Sequence, residues 1–144
     1  MTVSQRGLGE LDLSTHRAWD LSAENLLHRA SGPEGLTFFT RPVTDLLPHP
    51  VPAVQVATPG ARATAWLAHP HTFTILHRHL RGLLGAEVAY LAPTTDVLIA
   101  ASAGAPELPA LQNRLTTTHT PRLPGASLLS AIVHYVRGFP AVAG

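Results

Sequence analysis

Four histidines fall within eleven residues, HPHTFTILHRH at 69–79, in a chain of 144 residues that has nine histidines and no cysteine. Imidazoles at close spacing are the material of zinc sites, so the first question is whether these can share an ion. The metal-binding reading takes His69, His71 and His79 as ligands of zinc, with Asp96 as a further oxygen donor, and leaves a hydrolytic role open. Spacing argues against it. His77 and His79 are two apart, about 200° around a helix axis, whereas convergence from one helix needs a separation of three or four. His69 and His71 would meet at the helix start only if the first turn is irregular, and a full set would need His119 or His134 from elsewhere. No HExxH is present. The competing reading takes His69 as a cap, His77 as solvent-facing and His79 as partly buried.

Other chemistry has less support. Ser102, Ser127 and Ser130 are the candidate nucleophiles, but PGASLLS lacks the second glycine of a nucleophile elbow. The nine acids are scattered, with Asp20, Glu24, Asp45, Glu87 and Asp96 on different elements. No glycine-rich phosphate loop appears. Asp96 closes the PTTD turn, where an aspartate ordinarily caps the backbone. Arg78 and Arg81, with His77, form a small positive face that reads as a solvated helix surface.

These residues must be positioned by a short list of elements. WDLSAENLLHRA predicts a helix capped at Ser22, with Leu26, Leu27 and Ala30 inward; residues 1–14 read as a flexible arm ahead of a single domain over 15–144. LTFFT at 36–40 predicts a strand, and the proline-rich 41–52 a rim loop. AVQVAT at 53–58 predicts an edge strand or more loop, and ATAWLAH at 63–69 a strand. Pro70 at a first helical position, apolar residues at 73, 76, 80 and 83, and Gly85 predict a helix over 70–84. EVAYLAPTTDVLIAAS predicts a β-hairpin with strands 87–92 and 96–101. GAPELPALQNRL predicts a helix over 106–116 with Leu108, Leu111 and Leu115 inward. ASLLSAIVHYVRG at 126–138 fits helix or strand, with helix favoured for its first half. The fold class is therefore α+β, a mainly antiparallel sheet containing the 87–101 hairpin and covered by two to four helices.

Composition narrows the function classes. Charged residues are 13% and the net charge is +1, so neither nucleic acid nor an anionic membrane is an expected partner. The N-terminus has no apolar signal segment and no apolar run reaches about 18 residues, which makes the cytoplasm the expected location. The paucity of lysine beside Ala, Leu, Pro and Arg is a bacterial high-GC signature.

From Trp19 onward the order of motifs resembles the C-terminal half of the YtpQ-like bacterial domain-of-unknown-function family. AWDLSAENLLHRA is similar to that family's tryptophan-led helix, HPHTFTILHRHL to the next helix, and VAYLAPTTDVLIAAS to its Pro-x-x-Asp hairpin, here Pro93 and Asp96; TPRLPG before the last apolar segment is a further echo. Asp20 stands where the family has glycine. The resemblance implies an α+β fold and no reaction, since that family has no established one.

The expected function is a non-catalytic binding or protein-interaction module without a cofactor, more plausibly not an enzyme, that self-associates as a homodimer. Trp66, Asp96, Arg78 and Arg81 are the expected ligand or partner contacts.

Overall fold

The computed structural model describes residues 5–33, 35–43, 53–116 and 125–142, with side chains from residue 15 onward. Its centre is the expected hairpin, β5 (Val88–Thr94) and β6 (Val97–Ser102). These strands are apolar at almost every position, the pattern of a sheet covered on both faces. Val88, Tyr90, Ala92, Leu98 and Ala100 enter one core. Ala89, Leu91, Val97, Ile99 and Ala101 enter another on the opposite face. The register shifts between Leu91 and Thr94, a bulge that accommodates Pro93 within a central strand. There the carbonyls of Ala92 and Pro93 turn outward to accept from the amides of Leu129 and Leu128, each at 3.0 Å.

Around the hairpin stand β3 (Phe39–Pro42), β4 (Ala53–Ala57), β7 (Val133–Val136) and β8 (Phe139–Val142). The sheet has six strands in the order β3-β4-β6-β5-β7-β8, antiparallel throughout. A separate pair, β1 (Ser31–Gly32) and β2 (Gly35–Leu36), follows the first helix. One sheet face is covered by α1 (Gln5–Ala30), a 3-10 helix (Ala63–Ala68) and α2 (Pro70–Leu84). The other is covered by α3 (Leu108–Thr116), through Leu108, Leu111 and Leu115 as expected. The class is α+β.

Five local readings are corrected. Helix α1 begins at Gln5, so residues 5–14, read as a flexible arm, are helical backbone. Ser22 is no N-cap; it lies mid-helix and returns its hydroxyl to the Ala18 carbonyl at 2.9 Å. The expected strand at 63–69 is a 3-10 helix: the buried Ala63 and Trp66 are three apart, which stacks them on one side of a 3-10 turn, where strand alternation would set them on opposite faces. His69 is extended, φ −132° and ψ 135°, as the residue before a proline prefers, and separates that turn from α2. Strand β4 is internal, between β3 and β6. Finally, no helix forms in 126–138. The segment runs extended along β5 and then forms the hairpin β7–β8, whose turn residues Arg137 and Gly138 both have positive φ, 51° and 93°, the signature of a type I′ turn. The expected rim loop over 41–52 lies mostly outside the described residues.

Two glycines make opposite demands. A Cβ on Gly138 would sit 2.7 Å from Pro70 Cβ, so the β7–β8 turn rests directly on the first turn of α2. Gly82 lies inside α2 with open space where its Cβ would be. Gly138→Ala should cost about 1–3 kcal/mol through its left-handed backbone, whereas Gly82→Ala should stabilise by roughly 0.5–1 kcal/mol. Urea titration of both variants checks this; a neutral Gly138→Ala would contradict the left-handed conformation of the turn at Gly138.

Candidate functional site

The most connected polar group among the described residues is His77. The repeat of Phe73, Leu76 and Leu80 turns one face of α2 to the sheet, and His77, four residues after Phe73 and three before Leu80, shares it. The residue is 5% exposed, which corrects the expectation that it faces solvent. Its Nδ1 lies 2.8 Å from the Tyr90 hydroxyl and its Nε2 2.9 Å from Glu87 Oε1. The ring stacks on Tyr135, centroids 4.1 Å apart and planes at 9°. Thr74 donates to the Pro70 carbonyl, so the Tyr135 hydroxyl, 2.9 Å away, donates to Thr74 Oγ1. One helix, the central strand and the β7–β8 hairpin meet at this imidazole.

A carboxylate only accepts, so Nε2 carries the hydrogen toward Glu87 and Nδ1 offers its lone pair to the Tyr90 O–H. The neutral ring thus satisfies both partners. Hydroxyl, imidazole and carboxylate stand in the order of a catalytic triad, but the chemistry is absent. The hydroxyl is a phenol with no solvent exposure, and burial above all, then the charge of Glu87 and the proximity of Tyr135, pushes its pKa far up. Its burial gives it no surface to offer a substrate and favours the protonated phenol. Burial also lowers the His77 pKa; Glu87 opposes this through charge and hydrogen bond, and Arg81 adds to it. A histidine whose pKa is lowered on folding gives stability that is present above its ordinary 6.5 and is lost as pH falls from there through the native value.

A second imidazole joins α1 to α2. His69 Nδ1 accepts from the His71 amide at 3.0 Å and so caps α2, as expected. That leaves the hydrogen on Nε2, 2.8 Å from Asp20 Oδ1. Trp19 lies against the His69 ring, centroids 4.3 Å apart, and gives its indole N–H to the Ala68 carbonyl at 2.8 Å. The Asp20 carboxyl is held below its usual range, first by the His69 hydrogen bond; partial burial works against this, and the charges of His16 and His69 assist.

The residues singled out from sequence are not brought together. His69 has both ring nitrogens committed, His71 is exposed, and His79 is exposed beside Phe38, centroids 4.8 Å apart; His69 and His79 are ten residues, roughly 15 Å, apart along α2. None of the three is placed as a metal ligand, and among the described residues no group of three or more His, Asp or Glu side chains is arranged to hold a metal ion. Trp66 is a core residue edge-on to Phe38 and offers nothing to a partner. Arg78 is exposed. Arg81 Nε approaches Glu87 Oε2 at 3.6 Å. The Asp96 carboxylate pairs with Arg62 Nε at 2.7 Å, tying the hairpin turn to the strand-to-helix loop; Thr64 adds a 2.6 Å bond to the Thr95 carbonyl.

The sequence of 126–142 offers apolar edges that a monomer would struggle to cover, and the structure shows which of its residues lie at the surface. The stretch 128–142 exposes Leu128, Leu129, Val136 at 50%, Phe139 at 53% and Val142 at 58%. Val136 and Phe139 oppose one another beside the turn, forming the hydrogen-bonded pair that closes a two-residue hairpin. The next pair, Tyr135 and Pro140, is then the non-bonded kind, and the Pro140 nitrogen faces the open edge with no hydrogen to give. Proline on an edge discourages a further strand from pairing there.

No protein-family model, curated protein or solved structure matches this chain. No helix among the described residues is long and apolar enough to cross a membrane.

His77→Ala should cost about 2–4 kcal/mol, from a cavity and from stranding the Tyr90 hydroxyl. Arg78→Ala, one position along the same helix, should change stability by under about 0.5 kcal/mol. Equal effects in a denaturant titration would contradict the burial of His77.

Proposed function

We propose that the chain is a non-catalytic binding module that acts through the β7–β8 hairpin, and that its partner is a second copy of itself. The observation that carries this reading is the cross-strand pair Val136 and Phe139, both half-exposed on an edge hairpin whose residues 128–142 include one charged side chain, Arg137, and no acid. An apolar, nearly uncharged patch is self-complementary, because a two-fold contact sets each patch against its own copy without needing opposite charges. Pro140 favours side-chain contact over strand addition. The non-catalytic part of the reading rests on the polar groups, since His69, His77, Asp20, Glu87 and Asp96 are all committed to contacts within the chain. The net charge of +1 supports neither nucleic acid nor a membrane surface as partner, and a cytoplasmic location goes with the proposal. The YtpQ-like resemblance is compatible with it and supplies no reaction.

Sedimentation velocity over a range of concentrations tests the proposal. The expected result is a species of twice the 15.3 kDa chain mass, reduced to monomer by Phe139→Asp with circular dichroism unchanged. A monomer at the highest concentration, or a dimer indifferent to Phe139→Asp, would overturn it.

A further inference from the structure

We propose that His77 is an acid-operated latch on the β7–β8 hairpin: protonating its imidazole strands the Tyr90 hydroxyl hydrogen in the core and frees Tyr135, with the hairpin that carries it, from α2 and β5. The latch is a property of the fold and stands whether or not the hairpin binds a partner.

The neutral ring accepts from Tyr90 and donates to Glu87. A protonated ring donates from both nitrogens. Tyr90 must then turn its oxygen lone pair to Nδ1, and its own hydrogen is left without an acceptor, because His77 is the hydrogen-bond partner of this fully buried hydroxyl among the described residues. The groups facing His77 pull in both directions. Glu87, just before β5, favours the cation, while Arg81 on α2 and burial oppose it. Tyr90 from β5 and Tyr135 from β7 complete the surround, with Phe73 of α2 edge-on to the ring. Burial outweighs the carboxylate, so the folded protein resists the charge.

Relief comes where the structure is least held. On one side of β5 the ladder to β6 runs from Val88↔Ser102 to Thr94↔Val97. On the other, the ladder to β7 among the described residues is Ala89↔His134 and Tyr90↔Val133. Tyr90 is thus at the short ladder itself. Lifting β7 admits water to its hydroxyl and unstacks Tyr135 from the ring, while β5–β6 stays paired.

Hydrogen exchange of the full chain at pH 7.5 and 5.5, with labelling times scaled for intrinsic rates, tests the latch. At pH 5.5, about one unit below the ordinary histidine value, uptake of one proton by the open form favours it by at most about tenfold. Amides of 133–142 should lose protection by up to that factor while those of 97–102 do not. His77→Gln places an amide oxygen toward Tyr90 and an N–H toward Glu87, and should abolish the response. Two substitutions at exposed positions carry opposite signs: Glu87→Gln, which removes the group that favours the cation in the closed form, should enlarge the loss of protection at pH 5.5, and Arg81→Gln should reduce it. Unchanged wild-type protection, equal loss in 97–102, or a response that survives in His77→Gln would each overturn the proposal. Should His77→Gln not fold, the Glu87 and Arg81 pair decides, and changes in the same direction would overturn it.

Discussion

Strands β5 and β6 are apolar on both faces, and the elements packed around them answer that constraint. A sheet of this kind cannot leave either side to water, so the chain supplies α2, the 3-10 helix and the end of α1 to one face and α3 to the other. Each large side chain brought in, Tyr90, Leu98 and Ile99 among them, contributes roughly 1.5–3 kcal/mol over exposure. The flanking strands β4 and β7 then satisfy the backbone of the central pair on its two open sides. The bulge at Pro93 belongs to the same solution, since it lets a residue without an N–H occupy a central strand and turns two carbonyls toward 128–129.

Burying Tyr90 brings one polar atom into that core, and a buried hydroxyl without a partner would cost about 1–3 kcal/mol. His77 answers it from the apolar stripe of α2 and passes its own hydrogen to Glu87, half in water. Tyr135 stacks on the same ring, so the satisfaction of one hydroxyl also seats the edge hairpin on α2. At the other end of α2, His69 caps the helix with one nitrogen and binds Asp20 of α1 with the other. The histidines are therefore connectors between elements. A chain with few charges uses neutral imidazoles where others would use ion pairs, and neutral imidazoles fit a buried position at far lower desolvation cost than a charge.

Much of this was legible in the residues. The hairpin, the limits of α2 from Pro70 to Gly85, the cap at His69 and the inward leucines of α3 all follow from local signals that tertiary packing does not override. His77 was legible too, for its spacing from Phe73 and Leu80 places it on the buried stripe, and its polarity alone pointed to solvent. The 3-10 turn at Ala63–Ala68 was hidden because six small and apolar residues suit a strand equally well, and only the three-residue recurrence of buried positions separates the two. Hairpin β7–β8 was hidden because its turn is Arg-Gly, without the asparagine or aspartate that usually marks a type I′ turn, and because Leu128, Leu129, Ile132 and Val133 also fit a helix. The exposed pair Val136 and Phe139 could not be read before the strands were known, since exposure depends on which neighbour the edge strand lacks.

A neutral His77 that holds its hydrogen on Nε2 and accepts from Tyr90 at Nδ1 joins α2, β5 and the edge hairpin. Long-range ¹⁵N–¹H NMR of the imidazole rings at pH 7.5 reads this directly. The predicted result is a single, non-averaged Nε2–H tautomer for His77, with its Nδ1 shifted by an accepted hydrogen bond and with cross-relaxation to Tyr90 and Tyr135. A ring averaging between tautomers as a solvent-exposed histidine does, or one protonated at Nδ1, would contradict the account.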